Sequence, residues 1–212
     1  MNSLISIDNL SFEFPDHPVL KEFTLELNAG ERLGISGPNG SGKTTLLRLL
    51  MGLEKGAIGS LTILDRSCKT ESDFQEIRKE VGYLFQNSDD QLFCPTVFED
   101  VAFGPINQGL SSKEAHDIAH ETLESLGLSD LRRRITYKLS YGQKRLVALA
   151  TILAMKPKVL LLDEPTNGLD DASENRLTQI LTELPQEMII ISHNQPFLEK
   201  VATRTQLFES VS

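Results

Sequence analysis

Apolar residues in this chain come in short runs separated by turn-forming residues. VLLLD (159–163) and MIIIS (188–192) have the length and composition of strands buried within a sheet. FTLEL (23–27) instead alternates apolar and polar positions, which predicts a half-buried antiparallel strand. RLGIS (32–36), LTIL (61–64) and VGYLF (81–85) read as further strands. A glycine-rich loop follows RLGIS, and TTLLRLLMG after it predicts a short helix stopped by Gly52.

The period changes in the middle. Ser111 and Glu114 form the ends of a capping box, and Ala115, Ile118, Ala119, Leu123 and Leu126 then fall on one helical face before Gly127. Residues 88–138 are therefore predicted to form a helical lobe inserted into an α/β core within one domain, 1–212. LSYGQKR (139–145) opens another helix: Ser140 can cap it, Gly142 leaves room for a close approach, and Lys144 and Arg145 add charge. A further helix is expected from about Asp171, with Glu174 closing a box and Leu177, Ile180, Leu181 and Leu184 facing inward.

Composition narrows the function classes. The 212 residues carry 21 basic and 30 acidic groups, a net charge of −9 that argues against a nucleic-acid surface. No apolar run approaches the roughly 18–20 residues of a membrane-spanning helix, and MNSLISIDNL lacks the pattern of an export signal. Cys68 and Cys94 make no disulfide framework and no metal-ligand spacing, so both are expected to be reduced bystanders in a cytosolic protein.

The chemistry concentrates in a few segments. GPNGSGKT matches the phosphate loop G-x-x-x-x-G-K-[ST]: across Gly37, Pro38, Asn39, Gly40, Ser41 and Gly42 the glycines let successive backbone N–H groups curl around phosphates at a helix start. Lys43 reaches the β and γ phosphates, the Thr44 hydroxyl can ligate Mg²⁺, and Thr45 completes the nucleotide-binding set. Asp163 and Glu164 emerge where an apolar strand ends, a costly place for carboxylates without a cation. Beside a phosphate loop, Asp163 is expected on the Mg²⁺ shell and Glu164 as the base facing the attacking water. His193 ends another buried strand, and parallel strands deliver their C-terminal ends to one crevice, which predicts Gln86, Asp163, Glu164 and His193 on one rim.

The order GPNGSGKT, Gln86, LSYGQ, VLLLDEP, NGLD and His193 resembles the ATP-binding-cassette (ABC) ATPases over nearly the whole chain. The resemblance implies a phosphate-loop cassette: a RecA-like α/β core, an antiparallel β-subdomain and the helical lobe, hydrolysing ATP with Mg²⁺. It implies two cassettes, identical or different, sandwiching two ATP molecules head to tail. Ser140, Gly142 and Gln143 would then cap the γ-phosphate held by the other subunit. Phe14 would stack on adenine, Asp170 would lie at the dimer seam, and Gln86 would join the Mg²⁺ site to the helical lobe. Tyr141 departs from the family's LSGGQ; at a helix start φ is negative, so the tyrosine is expected to be tolerated. The chain ends at Ser212 without the tail that many relatives carry, so dimerisation is expected to lean on bound ATP.

QNSDDQLFCPTVFEDVAFGP (86–105) is similar to a pattern of the ATPases of energy-coupling-factor and cobalt/nickel importers, with Ser88 in place of proline. That implies a transmembrane importer subunit as partner, a location on the inner face of the cell membrane, and uptake of a small solute, cobalt or nickel foremost and vitamins as the alternative. Other classes left open are a soluble cassette ATPase of DNA repair or translation, a phosphate-loop kinase, and a cassette that regulates a channel.

Overall fold

The computed structural model describes residues 3–15 and 17–209; the chain end at Ser212 lies outside them. The elements, in chain order, are β1 (Ser3–Phe14), β2 (His17–Asn28), β3 (Arg32–Ser36), α1 (Lys43–Leu50), β4 (Ile58–Ile63), β5 (Arg66–Ser67), α2 (Glu71–Glu80) and β6 (Val81–Leu84). There follow α3 (Val97–Asn107), α4 (Ser112–Ser125), α5 (Tyr141–Leu153), β7 (Val159–Asp163), α6 (Asp171–Glu183), β8 (Glu187–Ile191), α7 (Gln195–Val201) and β9 (Arg204–Leu207). Three single 3₁₀ turns lie at Ser88–Asp90, Ser129–Leu131 and Thr136–Lys138.

Two sheets divide the strands. One is antiparallel, in the order β2-β1-β4-β5; the other is parallel, in the order β6-β7-β8-β3-β9. β7 lies in the interior of the parallel sheet with all five residues buried, as its unbroken apolar run predicts. FTLEL is the inner part of β2, whose pairing with β1 runs nearly the whole of both strands and is interrupted by register shifts. Those irregularities break the alternation and hide the strands' length from a reading of sequence. β4 and β5 are joined through Leu64 and Asp65, both at positive φ (49° and 63°), a tight hairpin made without glycine or asparagine.

α4 forms as its pattern predicts. Ser111 and Glu114 cap reciprocally, and Ala115, Ala119 and Leu123 are fully buried. The box expected in α6 is not there: Asp170 is the cap, accepting from the Ser173 N–H at 2.7 Å, and the Glu174 carboxylate instead accepts from the Asn194 amide. The cap stands one residue earlier than the box requires, which puts Ser173 rather than Glu174 at the reciprocating position. Among the described residues no helix is long and apolar enough to cross a membrane. Both cysteines are free, and burial pushes the Cys94 thiol up to about 11.

Candidate functional site

A cavity of about 290 Å³ opens where β3 turns into α1. Its lining includes Asn39, Gly40, Gly42, Lys43, Thr44 and Thr45 from the loop, and Phe14, Gln86 and Glu164 from elsewhere. The loop holds its shape through left-handed glycines. Gly42 has φ 103°, and a Cβ there would lie 2.4 Å from Val19 Cγ1; Gly40, at φ 75°, would meet nothing within 4 Å. The first glycine is thus required by packing, while the second keeps backbone open to the cavity. Lys43 is 7% exposed, and its ammonium donates to the Gly37 and Pro38 carbonyls at 2.9 and 2.7 Å. Ser41 Oγ is buried with no hydrogen-bond partner among the described residues, an orphan that a phosphate oxygen can satisfy.

β7 supplies the carboxylates. Asp163 is fully buried; its two oxygens accept from the Thr44 hydroxyl at 3.2 Å and the Tyr83 hydroxyl at 3.4 Å. Burial pushes its pKa above the ordinary value, against the pull of the Thr44 hydrogen bond. A hydroxyl and a buried carboxylate side by side form the hard-oxygen donor set that Mg²⁺ prefers. Glu164 stands at φ 44°, and its N–H donates to the Ile191 carbonyl at 2.9 Å. His193 lies against it, Nδ1 2.8 Å from Glu164 Oε2, with the His193 backbone N–H donating to the same oxygen at 3.3 Å. His193 therefore meets the carboxylate, and it is Glu164 and Gln86 that face the cavity.

Phe14 is 39% exposed and packs edge-on against Phe12, leaving a ring free at the cavity mouth. His17 and Val19 also line the cavity. Neither was predicted; both follow from the β1–β2 hairpin, whose depth the sequence conceals.

The signature segment lies apart from this cavity. Ser140 caps α5, accepting from the Gln143 N–H at 3.3 Å, while Gln143 Oε1 accepts from the Ser140 N–H at 3.0 Å. Neither Ser140, Gly142 nor Gln143 is among the residues lining the cavity. Tyr141 is helical at negative φ, as expected, and its ring lies over Gly168: a Cβ on that glycine would be 3.2 Å from Tyr141 Cε1. The room left by Gly142 is taken within the chain, since a Cβ there would fall 2.3 Å from Ser173 Oγ. Lys144 pairs with Asp89. Arg145, expected to add charge to the helix end, is instead fully buried beneath it. Asp170, expected at a dimer seam, is occupied as the α6 cap, and the Ser173 N–H holds its carboxyl below the ordinary value.

Asp163 carries a consequence for stability. Because its pKa is raised in the folded state, the native chain holds that proton more tightly than the unfolded one, so stability present below the unfolded pKa is lost as pH rises through the folded pKa. Asp163→Asn should raise the melting temperature of the nucleotide-free protein near neutral pH. The gain should shrink as pH falls toward the ordinary carboxylate pKa, where the wild-type side chain is already neutral in both states. A melting series across pH checks this; a gain independent of pH would contradict it.

The family model for ABC transporters matches residues 20–167. A protein of Brucella suis biovar 1, named among ABC transporter ATP-binding proteins, is 52% identical over 96% of this chain and 85% of its own length. The energy-coupling factor transporter ATP-binding protein EcfA of Methanothermobacter thermautotrophicus is 42% identical over 98% of this chain and 68% of its own. Among solved structures, CbiO1 of Clostridium perfringens, described as part of the ABC transporter complex CbiONQ, superposes with a TM-score of 0.86 at 30% identity, covering 99% of this chain and 86% of that one. A dimeric post-hydrolysis state of the cassette MJ0796 bound to ADP and Pi gives 0.86 at 25% identity, over 97% and 94% of the two chains. The chain belongs to the ABC transporter family and has the fold of its ATP-binding cassettes. It is an ATPase, the ATP-binding subunit of a transporter.

Proposed function

We propose that this chain hydrolyses ATP as one half of a pair of cassettes that drives an importer, taking up cobalt or nickel ions through separate membrane subunits. One observation carries the paired reading. The Ser140–Gln143 helix start, an anion-binding element by its dipole, does not reach the chain's own nucleotide cavity. It is therefore available to a second chain's ATP.

Within each cassette, Lys43 exchanges the Gly37 and Pro38 carbonyls for phosphate oxygens, and Ser41 finds its missing partner there. Phe14 offers its free face to adenine. Thr44, Asp163 and Gln86 would hold Mg²⁺, which supplies neutralising charge at the phosphoryl oxygens. Glu164 takes the proton of the attacking water, and His193, through Nδ1, fixes which way that carboxylate points. Closure of two such halves around ATP and their release after hydrolysis provide the stroke.

Residues 88–138, the helical lobe in this reading, border a groove that suits a membrane partner. It measures about 650 Å³ and is lined by Phe93, Phe103, Met155 and Arg78 among others. Phe93 is 65% exposed and Phe103 43%, stacked edge to face at 4.7 Å. Exposed aromatic pairs of this kind anchor interfaces. Asp100, 3% exposed, lines the same groove with Oδ2 unpartnered among the described residues, an acceptor for a basic side chain. The metal ion rests on the resemblance of residues 86–105 to the pattern of energy-coupling-factor and cobalt/nickel importer ATPases, and the same resemblance carries the vitamin alternative. Reconstitution with the membrane subunits made alongside it decides between them. ATP-driven accumulation of radioactive cobalt or nickel in vesicles is the expected result. Accumulation of a vitamin alone would reassign the solute, and ATP turnover with no uptake of either would remove the importer reading.

A further inference from the structure

Arg145 is the largest of the fully buried side chains, and every hydrogen bond it makes is to a main-chain carbonyl. Nε donates to Pro165 O at 2.8 Å. Nη2 donates to Asp163 O and Glu164 O, both at 2.8 Å. Nη1 donates to Phe85 O and, at 3.2 Å, to Gln86 O. All five N–H groups of the guanidinium are thereby used, which is the condition for burying such a group at tolerable cost.

The distribution of those carbonyls is informative. Three belong to consecutive residues at the end of β7, the last of the strand and the two after it, with Glu164 at their centre. Two belong to the residues just past β6, one of them Gln86. Arg145 itself sits on α5, little more than one turn after the Ser140 cap. A single planar fork therefore joins the signature helix to the segments that present Gln86 and Glu164 to the cavity. The same helix makes two other contacts with the stretch after Glu164: the Tyr141 ring on Gly168, and Gly142 against Ser173. Lysine, with three donors on a flexible stem and no plane, cannot make this pattern.

We infer that Arg145 is a positioning residue that ties Glu164 and Gln86 to the signature helix, so that a partner's nucleotide engaging Ser140 sets the hydrolytic carboxylate in this chain's own site. The coupling across two sites rests on the paired-cassette reading above; the positioning of Glu164 does not. Because no atom of Arg145 lines the nucleotide cavity, its loss is read in turnover and not in affinity. Burial pulls the guanidinium down only to about 10, so it remains charged at neutral pH.

The test compares wild-type protein with Arg145→Lys and Arg145→Gln, measuring melting temperature, affinity for a fluorescent ATP analogue, kcat at saturating ATP, and the dependence of turnover on protein concentration. A folded variant that keeps its affinity within about twofold, loses kcat at least tenfold and loses ATP cooperativity is the expected result, with Lys no better than Gln. A folded variant with kcat intact overturns the proposal. Parallel loss of affinity and kcat, or failure of both variants to fold, also overturns it, since Arg145 would then be only a brace of the fold. Wild-type turnover that does not depend on protein concentration would instead refute the paired-cassette reading, and a loss confined to kcat would still support the positioning of Glu164.

Discussion

Glu164→Gln should bind ATP with near wild-type affinity, hydrolyse it at least a hundredfold more slowly, and accumulate as an ATP-bound dimer. Glutamine has the size of glutamate and retains a carbonyl oxygen that can accept from the His193 backbone and ring nitrogens, now 3.3 and 2.8 Å from Glu164 Oε2. What it loses is the ability to take a proton from water, and a positioned general base contributes about 10²- to 10⁴-fold. The side chain also lies within the cavity lining, so affinity is a fair control for local damage. Size-exclusion chromatography with ATP and a single-turnover assay read the two halves of the expectation. A normal steady-state rate in this variant would remove Glu164 from the chemistry.

Gly142→Ala should lower turnover about thirtyfold, and Ser173→Gly in the same chain should restore most of it. The added methyl carbon would lie 2.3 Å from Ser173 Oγ and 2.8 Å from Ser173 Cβ, so either the start of α5 or the start of α6 must shift. Overpacking of this kind costs about 1–3 kcal/mol of native-state stability, and a displaced helix start that raises the barrier to hydrolysis by about 2 kcal/mol slows turnover about thirtyfold. Ser173→Gly removes the clashing atoms and keeps the N–H that donates to the Asp170 cap. If Gly142 were needed only for the approach of a partner's phosphate, the double variant would be as slow as the single one. ATP turnover of the four proteins in this cycle separates the two roles.

Where one physical signal dominates, the sequence is readable. VLLLD becomes β7 because five consecutive buried positions admit no other period, and Ser111 with Glu114 starts α4 because the capping box is local chemistry. The phosphate loop is legible for the same reason, since all its parts are contiguous. α2 was not predicted although Thr70 and Asp73 form a capping box: its only buried residue is Ile77, so it lacks an apolar stripe. Arg145 shows in the sequence only as added charge at a helix start, because a sequence does not display the convergence of carbonyls from residues 85–86 and 163–165. The α6 box was misplaced by one position, an error that flips which side chain is free; Glu174, released from capping, reaches Asn194 instead. Contacts across the fold are what the linear pattern cannot carry.

Glu164 combines a left-handed backbone, φ 44°, with a side chain that is not glycine, asparagine or aspartate. Such a residue sits about 1–2 kcal/mol above its relaxed alternative. Two bonds hold that peptide against its strain, the Glu164 N–H to the Ile191 carbonyl and Arg145 Nη2 to the Glu164 carbonyl, so loss of either would let the base drift off target. The cassette thus keeps its trigger cocked from within, and slackening either tether is the shortest route to a misfire.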